Sequence, residues 1–276
     1  MVVGKAQSAL TTTSVVARVA GMERLTQSIA KVLVTQCPAV ARYQLDHPEE
    51  KKPSREMNLG SLVDQMVFGG AGWHTIDADS YRTKKAQQER DAAYERGQIP
   101  VLAKDVEDAQ RLAGRIRSRL MEEGIDLQNC RKQERLEWTS PSGTLCAGTP
   151  DLALLHESEW VTVDLKVGAR TEPVYLGNHV VDQGWHIQAA AYQEAGHGLY
   201  PHTQRRGRHL LLAAETGGTQ MVQLHPFSEM MMDMGRHAWV RAQQIWIACH
   251  VSGEWPEYPS RELMPSNWAY ESEMGR

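Results

Sequence analysis

Between Gly148 and Val167 the chain reads GTPDLALLHESEWVTVDLKV, and few folds accommodate that stretch. Leu152 to Leu155 is a compact apolar run, and His156 to Glu159 is polar and turn-like. Trp160 to Val167 then alternates. Val161, Val163, Leu165 and Val167 share one face, while Thr162, Asp164 and Lys166 share the other. The pattern predicts two strands joined by a turn. The first face is expected to bury in a core, and the second to present a carboxylate and an ammonium from one rigid strand. Asp151 opens the preceding strand, so a hairpin brings it near Asp164. Two carboxylates and a lysine converging on one point suit a hard divalent metal and a phosphate. An acidic residue two before a lysine is common by itself; Glu49-Glu50-Lys51-Lys52 holds two such pairs in what reads as a solvated charge run. Context separates the two cases. Asp164 and Lys166 lie on a β-branched, alternating strand, a Pro-Asp precedes them at hairpin distance, and Gln188-x-x-x-Tyr192 follows on a helix.

The 276 residues are 41% hydrophobic, which fits one large domain with a sizeable core. The formal net charge is -4, so the chain carries no global basic field, and any nucleic-acid contact must use local patches. Cys37, Cys130, Cys146 and Cys249 are scattered without CxxC spacing and read as reduced thiols of a cytoplasmic protein. No run reaches transmembrane length, and no secretory leader is evident.

Residues 1–21 are rich in Ser, Thr, Ala and Val without a period and read as a mobile arm; residues 22–276 form the single domain. A helix capped by Thr26 or Ser28 buries Ile29, Val32 and Leu33, and Pro38 opens another through Tyr43. Leu59, Leu62, Val63, Met66 and Val67 follow helical spacing up to Gly69-Gly70. Asp64 lies inside that apolar segment and needs a partner. Tyr81 to Arg96 is strongly charged and reads as mobile or helical on the surface. Ala109, Leu112, Ala113, Ile116 and Leu120 define an amphipathic helix closed by Gly124. On its other face Arg111, Arg115 and Arg119 recur at every fourth residue, as a solvated face or a phosphate-contacting stripe. Gln133 to Thr139 reads as a strand that carries Glu134 toward the central hairpin. After Val167 comes a Gly/Pro-containing loop, then a helix from Asp182 to Ala195 with Gln188 and Tyr192 one turn apart. Arg205, Arg206 and Arg208 form a basic loop cluster. His209 to Ala214 and Gln220 to Leu224 make a second hairpin. Ser228 to His250 is a long helix whose methionines read as core filler. The tail around Trp255-Pro256 and Trp268 is extended and aromatic.

These pieces, in this order, resemble the PD-(D/E)xK nuclease superfamily, and within it the RecE (exonuclease VIII) and lambda-exonuclease branch of phage recombination nucleases. The resemblance runs from about residue 24 onward. Leu25 to Ser28 with Pro38 is similar to that branch's opening helices, and Gly60-Ser61-Leu62-Val63-Asp64 to its Gly-x-x-x-His helix. Glu134 with Trp138, Pro150-Asp151, Asp164-Leu165-Lys166 and Gln188-x-x-x-Tyr192 match its site motifs. Trp255-Pro256-x-Tyr258, then Leu263, Pro265 and Trp268, resemble its closing segment. Two positions depart from the pattern: Asp64 stands where the family usually has His, and Thr149 where relatives often have a basic residue.

The resemblance implies a restriction-endonuclease-like α/β core, a mixed central sheet flanked by helices. It implies that Asp151, Asp164 and the Leu165 backbone carbonyl hold Mg²⁺ or Mn²⁺, with Asp64 and Glu134 as further candidate ligands. Lys166 would orient or deprotonate water or neutralise charge on the phosphate. Glu134 would bind a second metal or position the nucleophile, and Gln188 and Tyr192 would brace the site and touch the DNA backbone. It further implies 5′ to 3′ exonuclease action on duplex DNA ends, a ring-shaped homo-oligomer, a single-strand annealing protein as partner, and a bacterial or phage-infected cytoplasm. Three alternatives stand beside that reading: an endonuclease or repair nuclease on the same fold, a catalytically silent DNA-binding or assembly protein, and a CRISPR-associated nuclease with an iron–sulfur cluster. The cysteine spacing gives the last no support.

Overall fold

A computed structural model describes residues 23–48, 53–70, 72–156, 158–201 and 207–275. The expected arm at 1–21 lies outside them, as do the charge run at 49–52 and Arg205 and Arg206.

A short strand β1 (Leu25–Thr26) leads into helix α1 (Gln27–Thr35). Thr26 caps α1, its hydroxyl accepting from the Ile29 amide, and the helix buries Ile29, Ala30, Val32 and Leu33. Helix α2 (Pro38–Asp46) starts on its proline, whose missing N–H costs nothing at a first turn. Helix α3 (Arg55–Phe68) is capped by Ser54 and stopped at Gly69, where φ is +95°. Next come β2 (Trp73–Ile76), α4 (Lys84–Glu95), β3 (Ile99–Leu102) and the long α5 (Ala103–Glu122). The parallel β2–β3 pair was not legible in the sequence, because each strand is only four residues long and half-buried.

The central elements follow: β4 (Arg131–Lys132), β5 (Leu136–Thr139), β6 (Leu145–Gly148), β7 (Leu152–His156) and β8 (Glu159–Val167). Helices α6 (Pro173–Asp182) and α7 (Trp185–Leu199) separate them from β9 (Arg208–Ala214) and β10 (Val222–Pro226). Helix α8 (Glu229–Ser252), capped by Ser228, and a short α9 (Asn267–Glu273) complete the described chain. A five-stranded mixed sheet runs in the order β10-β9-β8-β7-β4, with β8 and β9 parallel and the other pairs antiparallel. A second sheet has the order β1-β6-β5.

The large sheet is covered on both sides. Leu152, Val161, Val163, Leu165, Leu210 and Leu212 pack against α3 and α5 through Leu62, Val63, Leu112, Ile116 and Leu120. On the other side Ala153 and Trp160 meet α1, α7 and α8, while Leu211 and Ala213 meet Leu176 and Val180 of α6. This is the helix-flanked mixed sheet of the restriction-endonuclease-like fold. Burying each apolar face against a helix is what stabilises such a layer, at roughly 25 cal/mol per Å² of apolar surface.

Several expectations are corrected. The Thr162–Asp164–Lys166 face is not open to solvent: Thr162 and Asp164 are buried, because helices cover that side too. Glu134 is not on a strand. The hairpin β4–β5 against β6–β7 keeps one register throughout, with Leu136 opposite Gly148 and Lys132 opposite Leu152. Pairing lapses between its halves, at Gln133 to Arg135 on one side and Thr149 to Asp151 on the other. Gln133 turns through φ +48° there, and Pro150 has no amide to give a ladder. The segment after Val167 is not a plain loop. Pro173 begins α6 under a Glu172 cap, and Gly184 at φ +69° separates α6 from α7. Of the methionines at the start of α8, Met232 is buried but Met230 and Met234 are exposed.

Candidate active site

The break in the hairpin opens the sheet where β7 and β8 begin and end. Continuing the β7–β8 register by one residue past Leu152 opposite Val163 sets Asp151 across from Asp164. The Asp151 carboxylate accepts a 2.6 Å hydrogen bond from the Leu165 amide. Its own backbone carbonyl accepts from Gln133 at 3.0 Å. Lys166, two residues along the same strand face, pairs with Asp164. The Asp164 side chain is 3% exposed and that of Lys166 22%.

Helix α7 supports this face. Gln188 donates to Asp164 Oδ1 at 2.9 Å and to the Tyr192 hydroxyl at 3.1 Å. The Tyr192 hydroxyl donates to the Thr149 carbonyl at 2.9 Å and accepts from Gln27 at 3.3 Å. The ring can lie there because residue 148 is glycine; a Cβ at that position would sit 2.7 Å from Tyr192 Cε1. Asp64 arrives from α3 on the opposite side of the sheet and accepts a 2.5 Å hydrogen bond from Gln133. Asp64, Asp151 and Asp164 therefore share one electrostatic environment with Lys166.

That environment is strained for anions. Burial pushes the Asp64 carboxyl up to about 6, with the Gln133 bond opposing and Asp164 adding to the rise. Burial, then the charges of Asp164 and Asp64, raise Asp151 well above the ordinary carboxylate range. Burial works against the Lys166 charge, but Asp164, with Asp151 and Asp64 beyond, more than offsets it and raises the ammonium's pKa. His209 on β9 lies beside this cluster; its Nδ1 shares a 2.9 Å hydrogen bond with Thr162, and burial lowers it to about 4, leaving it neutral.

A divalent cation fits this donor set. One lysine faces three carboxylates, and Asp164 Oδ2 is a buried oxygen held only by the Lys166 ammonium. Among the described residues no three His, Cys, Asp or Glu side chains converge closely enough to hold a metal by themselves. The fit is therefore to a cation such as Mg²⁺, which takes one or two carboxylates and fills its remaining positions with water and substrate oxygens.

The other candidates fall elsewhere. Glu134 is exposed and pairs with Arg131 at 3.3 Å; it is absent from the charges that act on Asp151. Arg111 is engaged by Asp108, and Arg119 by Glu123 at 2.9 Å, which leaves Arg115 alone of that stripe with no acidic partner among the described residues. Arg208 opens β9 and pairs with Glu159 at 2.8 Å. Gln27, Thr149, Gln133 and Gly148 take part in the site and were missed as site residues, since only tertiary contact brings them to it. Two surface clefts, near Tyr43 and Tyr258 and near Glu194 and Trp239, lie away from the carboxylates.

A family model described as a PDDEXK-like domain of unknown function, DUF3799, matches residues 27–262. A crystal structure from Eubacterium rectale that carries a provisional exonuclease designation superposes with a TM-score of 0.59 at 15% identity, covering 98% of this chain and 99% of that one. At that identity the likeness shows the fold alone. A second solved protein, SSO0001, reaches a TM-score of 0.27 at 11% identity over 74% of this chain and 97% of its own, which carries no argument. No curated protein matches the chain. Among the described residues no helix is long and apolar enough to cross a membrane.

Proposed function

Because the chain belongs to the PDDEXK-like family DUF3799, we propose that it is a divalent-metal-dependent deoxyribonuclease that hydrolyses phosphodiesters from the ends of duplex DNA. One observation carries this reading: Asp151 and Asp164 oppose each other across a hairpin, with Lys166 on the same strand face as Asp164. Asp151, Asp164 and the Leu165 carbonyl would hold Mg²⁺ or Mn²⁺, with Asp64 as a further ligand. Bound there, such a cation would supply polarisation of the phosphodiester and a lowered pKa for the attacking water.

The chain's own groups supply the rest. Lys166 brings an ammonium, kept charged by its carboxylate neighbours, to where a phosphate gains charge during in-line displacement. Gln188 holds Asp164 by Oδ1 and leaves Oδ2 to the Lys166 ammonium. Tyr192 ties Gln188 to the Thr149 carbonyl, so α7 and the end of β6 keep a fixed distance. Asp64, in place of the family's usual imidazole, adds a carboxylate and so tightens the hold on a hard cation.

Action at ends, 5′ to 3′ polarity, a ring of identical subunits and a single-strand annealing partner are supported by the resemblance to recombination exonucleases. The exonuclease designation of the Eubacterium rectale protein supports action at ends. The test is linear duplex labelled at either end, incubated with Mg²⁺ beside a covalently closed circle, with Lys166→Ala as control. Early release of 5′ label, intact circles and an inactive variant are expected. Cut circles would make the protein an endonuclease. No metal-dependent cleavage of any substrate would leave a DNA-binding protein on a nuclease fold. Light scattering tests the ring, and a monomer would count against it.

A further inference from the structure

Side chains on α6 and its flanks form a continuous stack that begins at the lysine of the site. Lys166 Nζ lies 5.2 Å from the centre of the Trp185 ring. Trp185 meets His179 edge to face, with centroids 5.1 Å apart. His179 stacks on Tyr175 at 5.7 Å with an interplanar angle of 19°. Arg170 lies over Tyr175, its guanidinium carbon 4.4 Å from the ring centre. Three rings in a row thus lie between two cations, running outward from Lys166. The inner face of α6 anchors the row, since Leu176 and Val180 bury against Leu211 and Ala213 of β9. Tyr175, 40% exposed, and Arg170, also exposed, stand at the outer end.

Tyr175 turns outward from α6 beneath a guanidinium rather than into the core. An exposed ring beside a cation suits a single strand of nucleic acid, because each base offers a π-face and each link a phosphate. We propose that the outer end of this row is a single-strand subsite: a base of the strand entering or leaving the site replaces the Arg170 guanidinium on the exposed face of Tyr175, and Arg170 pairs with the backbone. The role rests on the nuclease reading for its purpose but not for its measurement, since binding is read without metal and without cleavage. It makes α6 a place where a frayed strand is held apart from its complement.

The test is fluorescence anisotropy of the full chain with a labelled single-stranded oligodeoxynucleotide in EDTA, using a blunt duplex of the same sequence for comparison. Tyr175→Ala is expected to weaken single-strand binding roughly tenfold, since one stacking ring is lost. Tyr175→Phe keeps the ring and is expected to bind as wild type does. Arg170→Ala is expected to weaken binding and to flatten its salt dependence, since one phosphate contact is lost. Blunt-duplex binding should change less in each variant. The proposal is overturned if wild type binds no single strand, or if Tyr175→Ala binds within twofold of wild type. A nuclease that cleaves normally but gives those binding results would keep its function and lose this subsite. A protein that cleaves nothing but shows the stacking pattern would do the reverse.

Discussion

The Leu165 amide donates a 2.6 Å hydrogen bond to the Asp151 carboxylate across the β7–β8 hairpin. A backbone group therefore fixes one carboxylate against the strand that carries Asp164 and Lys166. The carboxylates and lysine of the candidate site are held by the sheet itself, and a site on rigid strands keeps its geometry better than one on loops.

Divalent metal is expected to stabilise the folded protein, because it relieves three carboxylates that share one lysine. At a metal concentration 100-fold above Kd the gain is about 2.7 kcal/mol, a rise of several degrees in Tm for a chain of this size. Thermal melting with and without Mg²⁺ measures it, and Asp151→Asn should remove most of the rise. Equal melting temperatures for wild type under both conditions would contradict the metal site.

Lys166→Ala is expected to lower cleavage by at least about 100-fold, the usual loss when a charge-stabilising donor is removed. It also leaves the buried Asp164 without its counter-charge, so the metal-free variant should melt lower than wild type. Added Mg²⁺ should restore much of that stability and none of the activity. A variant that cuts at the wild-type rate would remove Lys166 from the mechanism.

Asp64 gives a pH dependence with a definite sign. Its carboxyl is raised from 3.8 to about 6 in the folded chain, chiefly by burial. The folded state therefore holds this proton more tightly than the unfolded state does. The resulting stability is present below the ordinary carboxylate pKa and is lost as pH rises through about 6. Asp64→Asn cannot ionise, so in EDTA its Tm relative to wild type should improve between pH 4 and pH 7. A constant difference across that range would show that burial does not perturb Asp64.

Gly148→Ala is expected to cost about 1–3 kcal/mol, the range for overpacking a filled site, because its Cβ would meet Tyr192 Cε1 at 2.7 Å. The ring must then move off the Thr149 carbonyl and loosen Gln188 on Asp164. Chemical denaturation gives the stability loss, and cleavage should fall with it. Tyr192→Phe, which keeps the ring and loses only the hydroxyl, should cost about 1 kcal/mol. If both variants keep full activity, the brace from α7 is not needed for chemistry.

Much of the site was legible because it is written locally. Strand alternation put Asp164 and Lys166 on one face, and the turn at His156 to Glu159 fixed the register that brings Asp151 opposite Asp164. One turn of helix separates Gln188 from Tyr192 in any fold. Glu134 was misplaced because a lapse in pairing depends on both strands of a hairpin: Gln133 turns only where Asp151 receives its amide. The helix at Pro173–Asp182 was missed because Gly168 and Pro173 look like loop punctuation, whereas Pro173 is its first residue. The basic stripe on α5, read as a solvated face or a phosphate-contacting stripe, has Arg111 engaged by Asp108 and Arg119 by Glu123.

The sequence alone determined the hairpin that carries Asp151, Asp164 and Lys166 and the helical spacing of Gln188 and Tyr192. It could do so because strand and helix periods act over a few residues and need no partner. Tertiary structure decided everything that depends on the opposite face of a sheet or on a distant helix. It covered the Asp164 face and made its charge costly, swung Asp64 and Gln133 into the same electrostatic field, and seated Tyr192 over Gly148. It also stacked Lys166, Trp185, His179, Tyr175 and Arg170 into one row. Burial and charge coupling arise only when segments far apart in the chain share a low-dielectric space, and no local pattern encodes that distance.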